Sequence, residues 1–240
     1  VKGLARYDRE KELLTYIPDL AGSGIALSKI ELFGFVIPDS GNVYAVSNSG
    51  LIIIEPGTGH YTVIKAGEQG DTRFLSDAHT ESITHDKARN GLWLGTIGGL
   101  NFYDLSSKQF THYTPPPEMM NKDSKRDNTI NAITVGLDGH VWFGTRRHGL
   151  YRFDPTTEHY KHYVNDEEQP SSIGSNDIWH ILQDSKGRLW VSLVKGGVKM
   201  YKTDRDDIIR YQTNTRRVAT ICSKTERTLS QENKGRRGGG

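Results

Sequence analysis

Asp138-Gly139-His140-Val141-Trp142-Phe143-Gly144-Thr145 decides how this 240-residue chain is read, because altered copies of it recur. Asn90-Gly91-Leu92-Trp93-Leu94-Gly95-Thr96 precedes it and Lys186-Gly187-Arg188-Leu189-Trp190-Val191-Ser192 follows it. A weaker copy is Ser40-Gly41-Asn42-Val43-Tyr44-Ala45-Val46-Ser47. The ring positions 44, 93, 142 and 190 are separated by 49, 49 and 48 residues. A period near fifty with strand-like content marks a stacked array of small sheets. Each copy continues alike: Gly50, Gly99, Gly149 and Gly197 precede Leu51, Leu100, Leu150 and Val198. An apolar residue follows at Ile54, Tyr103, Phe153 and Tyr201, and another at Ile64, Tyr113, Tyr163 and Tyr211. Gly3-Leu4, Tyr7 and Tyr16 match the second half of the pattern.

Upstream of each ring lies a further apolar pair: Leu32 and Phe35, Ile130 and Ile133, Ile178 and Ile181. In the remaining copy Thr80 stands at the first position and Ile83 at the second. These short runs, rich in Val, Ile and aromatics and bounded by Gly, Asp, Asn and Ser, read as strands joined by hairpins. Asn90-Gly91 and Asp138-Gly139 supply the positive backbone angles that a tight hairpin needs. Four strands per repeat, repeated radially, predict an all-β propeller in which the rings wedge between neighbouring blades. The spacing predicts a half blade at 3–16 and four full blades at about 30–64, 80–113, 130–163 and 178–211. A half blade without its first two strands predicts an incomplete propeller, a piece of a parent with more blades. Residues 212–240 hold seven Lys or Arg against two Glu and no aromatic residue, which predicts a disordered basic tail. The rest of the chain is net −3, so nucleic acid is not expected as a partner. One cysteine, Cys222, excludes an internal disulfide framework and a thiolate zinc cluster.

The strings Asn128-Thr129-Ile130 through Asp154-Pro155 and Ser171-Ser172-Ile173-Gly174-Ser175-Asn176-Asp177-Ile178 through Trp190 resemble the two-component regulator propeller repeat. The resemblance covers roughly residues 3–211. It implies a periplasmic sensor region of a hybrid histidine kinase or related receptor, binding an external ligand, often a glycan fragment. The partners it implies are that ligand, further blades, downstream signalling domains and a second copy in a homodimer. No membrane contact by this segment and no cofactor are expected. The turn from Asp184 to Trp190 also resembles an Asp-box, a structural hairpin.

Catalytic signals are weak. The chain has no Gly-x-Ser-x-Gly elbow and no phosphate loop, and no histidine pair has zinc spacing on a helix. A propeller lyase of the virginiamycin B type is the enzyme alternative, but no histidine matches its motif; a protein-interaction scaffold is the other. The reading is therefore a non-catalytic sensor. Its ligand is expected on the face carrying the turns between second and third strands and the connections 66–79, 114–129 and 164–177, with Pro115-Pro116-Pro117 as a stiff rim. The turn candidates are Asn48, Arg146, Arg147, His148 and Lys195. Asn128 and Asn176 end the long connections, and His180 lies on a first strand. Arginine offers a planar fork for carboxylate or sulfate, so an acidic sugar suits this set. Trp179, next to His180, is expected to pack in the core, and His112 and His162 are expected on a strand surface.

Overall fold

The computed structural model describes residues 5–16, 29–68, 70–114, 116–117, 124–169, 171–202 and 207–211. The expectations for Gly3-Leu4, Pro115 and the tail 212–240 with Cys222 fall outside these residues. Strands β1 (Ala5–Asp8) and β2 (Leu13–Tyr16) form a two-stranded hairpin. Four antiparallel four-stranded sheets follow. Blade one is β3 (Leu32–Val36), β4 (Val43–Ser47), β5 (Gly50–Ile54) and β6 (Tyr61–Ile64). Blade two is β7 (Thr80–Asp86), β8 (Gly91–Thr96), β9 (Gly99–Asp104) and β10 (Phe110–Tyr113). Blade three is β11 (Ile130–Val135), β12 (Val141–Thr145), β13 (Leu150–Asp154) and β14 (His159–Tyr163). Blade four is β15 (Ile178–Gln183), β16 (Leu189–Leu193), β17 (Val198–Lys202) and β18 (Asp207–Tyr211). Within each sheet the strands lie in sequence order, and first strands of successive blades stand side by side. This is the expected all-β propeller architecture, with four full blades and a half blade.

The turns explain the repeat locally. In the hairpins joining first to second strands, Asn90 and Gly139 take φ values of 49° and 79°, as the tight turn requires. In the turns joining third to fourth strands, Lys108 and Glu158 sit at φ 58° and 55°, behind Asp104 and Asp154, whose carboxylates accept backbone N–H bonds from Ser106, Ser107 and Thr156. The β1–β2 hairpin repeats this device: Asp8 accepts from the backbone of Glu10 and Lys11, and Glu12 is at φ 50°. That turn chemistry makes β1 and β2 the third and fourth strands of a blade.

The core lies between blades. Tyr44, Trp93 and Trp142 are buried, each facing the next blade, where its ring meets an aromatic on the third strand. Tyr44 meets Tyr103 at 6.3 Å between centroids, Trp93 meets Phe153 at 6.0 Å, and Trp142 meets Tyr201 at 4.9 Å. The rings are the expected wedges. Trp190 is half-buried. The glycine two residues after each buried tryptophan has a reason as well. A Cβ on Gly95 would fall 2.5 Å from Ile130, and one on Gly144 would fall 2.2 Å from Ile178, so the next blade's first strand presses directly on glycine backbone.

One expectation is overturned. Trp179 is 68% exposed and does not pack in the core. Each first strand carries a register shift at its second residue: Phe33, Glu81, Asn131 and Trp179 are each skipped in the pairing with the second strand. A bulge of this kind leaves the extra residue unpaired and re-aims its side chain. Simple alternation from Ile178 therefore misplaces both Trp179 and the exposed His180.

Candidate functional site

The long connections and the turns between second and third strands meet at one end of the blades through a repeated backbone bond. The residue following each second strand donates its N–H to the residue preceding or near the start of the first strand. The pairs are Asn48 to Glu31 (3.2 Å), Ile97 to His79 (3.2 Å), Arg146 to Thr129 (3.0 Å) and Val194 to Asp177 (3.0 Å). In blades one to three a hydroxyl at the end of the second strand closes the turn: Ser47, Thr96 and Thr145 donate to the carbonyls of Gly50, Gly99 and Gly149. The same hydroxyls accept from the backbone of Ser49, Gly98 and His148. Blade four has Leu193 at this position and keeps only the backbone bond from Leu193 to Gly197. The scaffold is thus held rigidly while the residues at the turn tips vary.

At the tip in blade three, Arg146 and Arg147 are both exposed. Arg147 Nε lies 3.3 Å from Asp127 Oδ1, and Asp127 belongs to the short 3-10 turn Lys125–Asn128 that leads into β11. His148 is half-buried. Burial holds its imidazole below the ordinary histidine range and the nearby His162 adds to this, while Asp127 pulls the other way. Asp177, half-buried just before β15, is pushed up by burial; Arg146 and Arg147 draw it back down, and Asp127 opposes them. Neither Asp177 Oδ1 nor His148 Nε2 finds a hydrogen-bond partner among the described residues, although both atoms are sealed from solvent. Two exposed guanidinium groups thus lie within electrostatic range of a half-buried carboxylate, on a turn tip held by the scaffold.

The other candidates divide. Asn176 belongs to this region but is used by the fold: its Oδ1 accepts from the backbone of Asn165 at 2.6 Å and its carbonyl accepts from Gly149 at 2.9 Å. Asn128 is buried in the turn before β11. Asn48, in blade one, accepts from the backbone of Glu31 at 3.4 Å and from the Ser49 hydroxyl. Lys195 is exposed at the tip in blade four, and His180 is exposed on β15. His112 and His162 are half-buried staples in which ring nitrogens meet the carbonyls of Phe74 and His148. Sequence reasoning missed Asp127 and Asp177. The signal for Asp177 was present: the Asn-Thr-Ile of 128–130 becomes Asn-Asp-Ile at 176–178, a charge placed where the copy has none.

The bulge positions form a second group on the same side of the blades. Phe33 lies against His79 at 5.4 Å, and His79 Nε2 is 2.8 Å from Glu81 Oε1. Asn131 donates through Nδ2 to the carbonyl of Ile178 at 3.1 Å, while its Oδ1 is buried without a partner. Among the described residues no helix is long and apolar enough to cross a membrane.

Comparison with known proteins agrees with this architecture. Residues 172–194 match the family model described as two component regulator propeller. Histidine kinase P4 of Formosa agariphila is 28% identical over 130 residues, which cover 51% of this chain and 9% of that protein. Two solved structures from B. thetaiotaomicron share the fold. One is an extracellular domain assigned to a hybrid two-component system, BT4673, with a TM-score of 0.67 and 22% identity over 88% of this chain and 25% of the other. The second is the corresponding domain assigned to BT3049, with a TM-score of 0.64 and 19% identity over 88% and 26%. The chain spans about a quarter of each of these structures and a far smaller part of the kinase. It therefore carries a two-component regulator propeller repeat, set within an array of propeller blades.

Proposed function

We propose that this array is the extracellular, ligand-sensing part of a two-component type receptor, without catalysis of its own. Its ligand sits on the turn face over blades three and four, and the signal passes to domains outside this chain. The observation that carries the site is the exposure of Arg146 and Arg147 on one turn tip, within electrostatic range of the half-buried Asp177. Arg147 already faces Asp127, so Arg146 is the primary contact for an anionic group. A guanidinium fork suits a carboxylate or sulfate, and the accessible edge of a half-buried carboxylate such as Asp177 accepts from hydroxyl groups. An acidic glycan fragment offers both. Phe35 and Ile37 stand where blades two to four press on the preceding blade, and they are 58% and 57% exposed; a further blade of the same kind fits them.

The test is calorimetry with short uronic-acid and sulfated oligosaccharides against the wild-type chain and the Arg146→Ala, Arg147→Ala double variant. The double variant is expected to lose at least about tenfold in affinity, equivalent to about 1.4 kcal/mol. Unchanged affinity removes this site assignment.

A further inference from the structure

At the opposite end of the blades, between blades one and two, the repeat departs from its own rule. In blade two the Trp93 indole donates to Asp86 at 2.9 Å, and in blade four the Trp190 indole donates to Asp184 at 3.0 Å. In blade one Tyr44 replaces the tryptophan and Pro38 occupies the position of the acceptor carboxylate. A third change accompanies them. His85 on β7 stands where Val135 packs against Trp93 in the following seam. The smaller ring, the missing carboxylate and the polar neighbour coincide with a cavity of about 350 Å³, open to solvent on one side. Pro38 and Leu105 line it with Tyr44 and His85, and the ion pair of Asp39 and Lys87 at 2.8 Å belongs to its rim. That volume is within the range of small-molecule sites.

We propose that this gap is a second ligand site, taking a small planar aromatic molecule that carries an N–H or O–H donor. Size allows the ring, because a volume of about 350 Å³ holds a small bicyclic aromatic molecule. Apolar surface from Pro38 and Leu105 is there to receive it, with the Tyr44 ring beside them. Chemistry argues for the donor: Asp39 is an exposed carboxylate beside the gap, one residue from the position of the acceptor that serves the indole elsewhere. Asp39 is held below the ordinary carboxylate range by its bond to Lys87 and by the charges of Lys87 and His85, so it remains an acceptor at neutral pH. The site does not depend on the glycan reading, since it shares no residue with the turn face.

Indole is the probe. Titrated into the full chain, it should raise the melting temperature in a saturable manner and perturb the backbone amide resonances of Tyr44, His85 and Lys87. Tyr44→Trp, which restores the residue of the other blades, should abolish indole binding. Asp39→Asn, a surface change expected to fold in any case, should weaken it severalfold, and toluene, which has no donor, should bind about tenfold more weakly than indole. No saturable binding at millimolar indole overturns the proposal, as does equal binding by a folded Tyr44→Trp variant or perturbations confined to other blades. Equal affinity for toluene, or no effect of Asp39→Asn, overturns the donor assignment.

Discussion

Two seams of the same array are built differently. Between blades two and three, Trp93 is sealed by Phe102, Tyr113 and Phe153, and its indole N–H is anchored on a carboxylate that is itself 1% exposed. Between blades one and two, the same strand position carries Tyr44, no carboxylate stands behind it, and a solvent-open gap remains. Both seams join sheets of the same topology, so the wedge ring and its anchor are separable from the blade. The ring sets how tightly neighbouring sheets close. The anchor sets what it costs to open them, because a buried carboxylate and an indole N–H that lose each other cannot turn to water.

The largest effect is expected from emptying the tight seam. Trp93→Ala should cost about 3–5 kcal/mol in a denaturant titration, the usual range for a buried tryptophan. Tyr44→Ala, at a seam already open to water, should cost less; equal costs would dissolve the contrast. Next comes Asp86→Ala, which strands the Trp93 indole and the Arg89 guanidinium that Asp86 binds at 2.8 Å. About 1–3 kcal/mol is expected.

Asp86 also has a pH signature. Burial alone would raise its carboxyl, but bonds from Trp93 and Arg89 outweigh burial and hold it below the ordinary value. A carboxyl depressed in the folded state contributes stability that is complete above its unfolded value, about 4, and is lost as pH falls through the folded value. Urea midpoints should therefore fall more steeply on acidification below about pH 4 in the wild type than in Asp86→Ala. Parallel curves would show that the anchor is not the titrating group.

A smaller effect should come from supplying an anchor where one is lacking. In blade three Gly136 stands at the acceptor position, and the Trp142 indole nitrogen is buried without a partner. Gly136→Asn should gain up to about 1 kcal/mol by thermal melt. The new Cβ falls 2.5 Å from Asp138 Oδ1 and 3.3 Å from the His140 carbonyl oxygen, so Asp138, which holds the His140 backbone N–H and Arg152, must shift and offsets part of the gain. A loss instead would mean that displacing Asp138 costs more than the new indole bond gains, with the Arg152 guanidinium over the Trp142 ring, 5.7 Å from its centroid, disturbed as well. The smallest effect is expected far from both seams: Arg146→Ala with Arg147→Ala should leave stability within about 0.5 kcal/mol, because both side chains are exposed.

The blade pattern was legible because it rests on local rules. A two-residue side-chain period, positive-φ turn residues and a ring recurring at 48 or 49 residues can all be read along a line. Trp179 was misjudged because a bulge adds one residue to a strand and reverses the alternation beyond it, and nothing in Ile178-Trp179-His180 announces it. At the candidate site Arg146, Arg147 and His148 were visible as variable turn tips. Asp127 and Asp177 were not joined to them, since their meeting depends on how two connections from different blades fold over one turn.

Sequence alone determined the repeat, the blade strands and the identity of the wedge residues, because each follows from neighbours a few positions apart and from a fixed period. Only the tertiary structure decided which polar groups were left without partners, where a bulge turned a tryptophan outward, and that a gap lies beside Tyr44 between blades one and two. Those outcomes belong to contacts between blades about fifty residues apart, where a volume or a charge is satisfied only by what the neighbouring sheet presents.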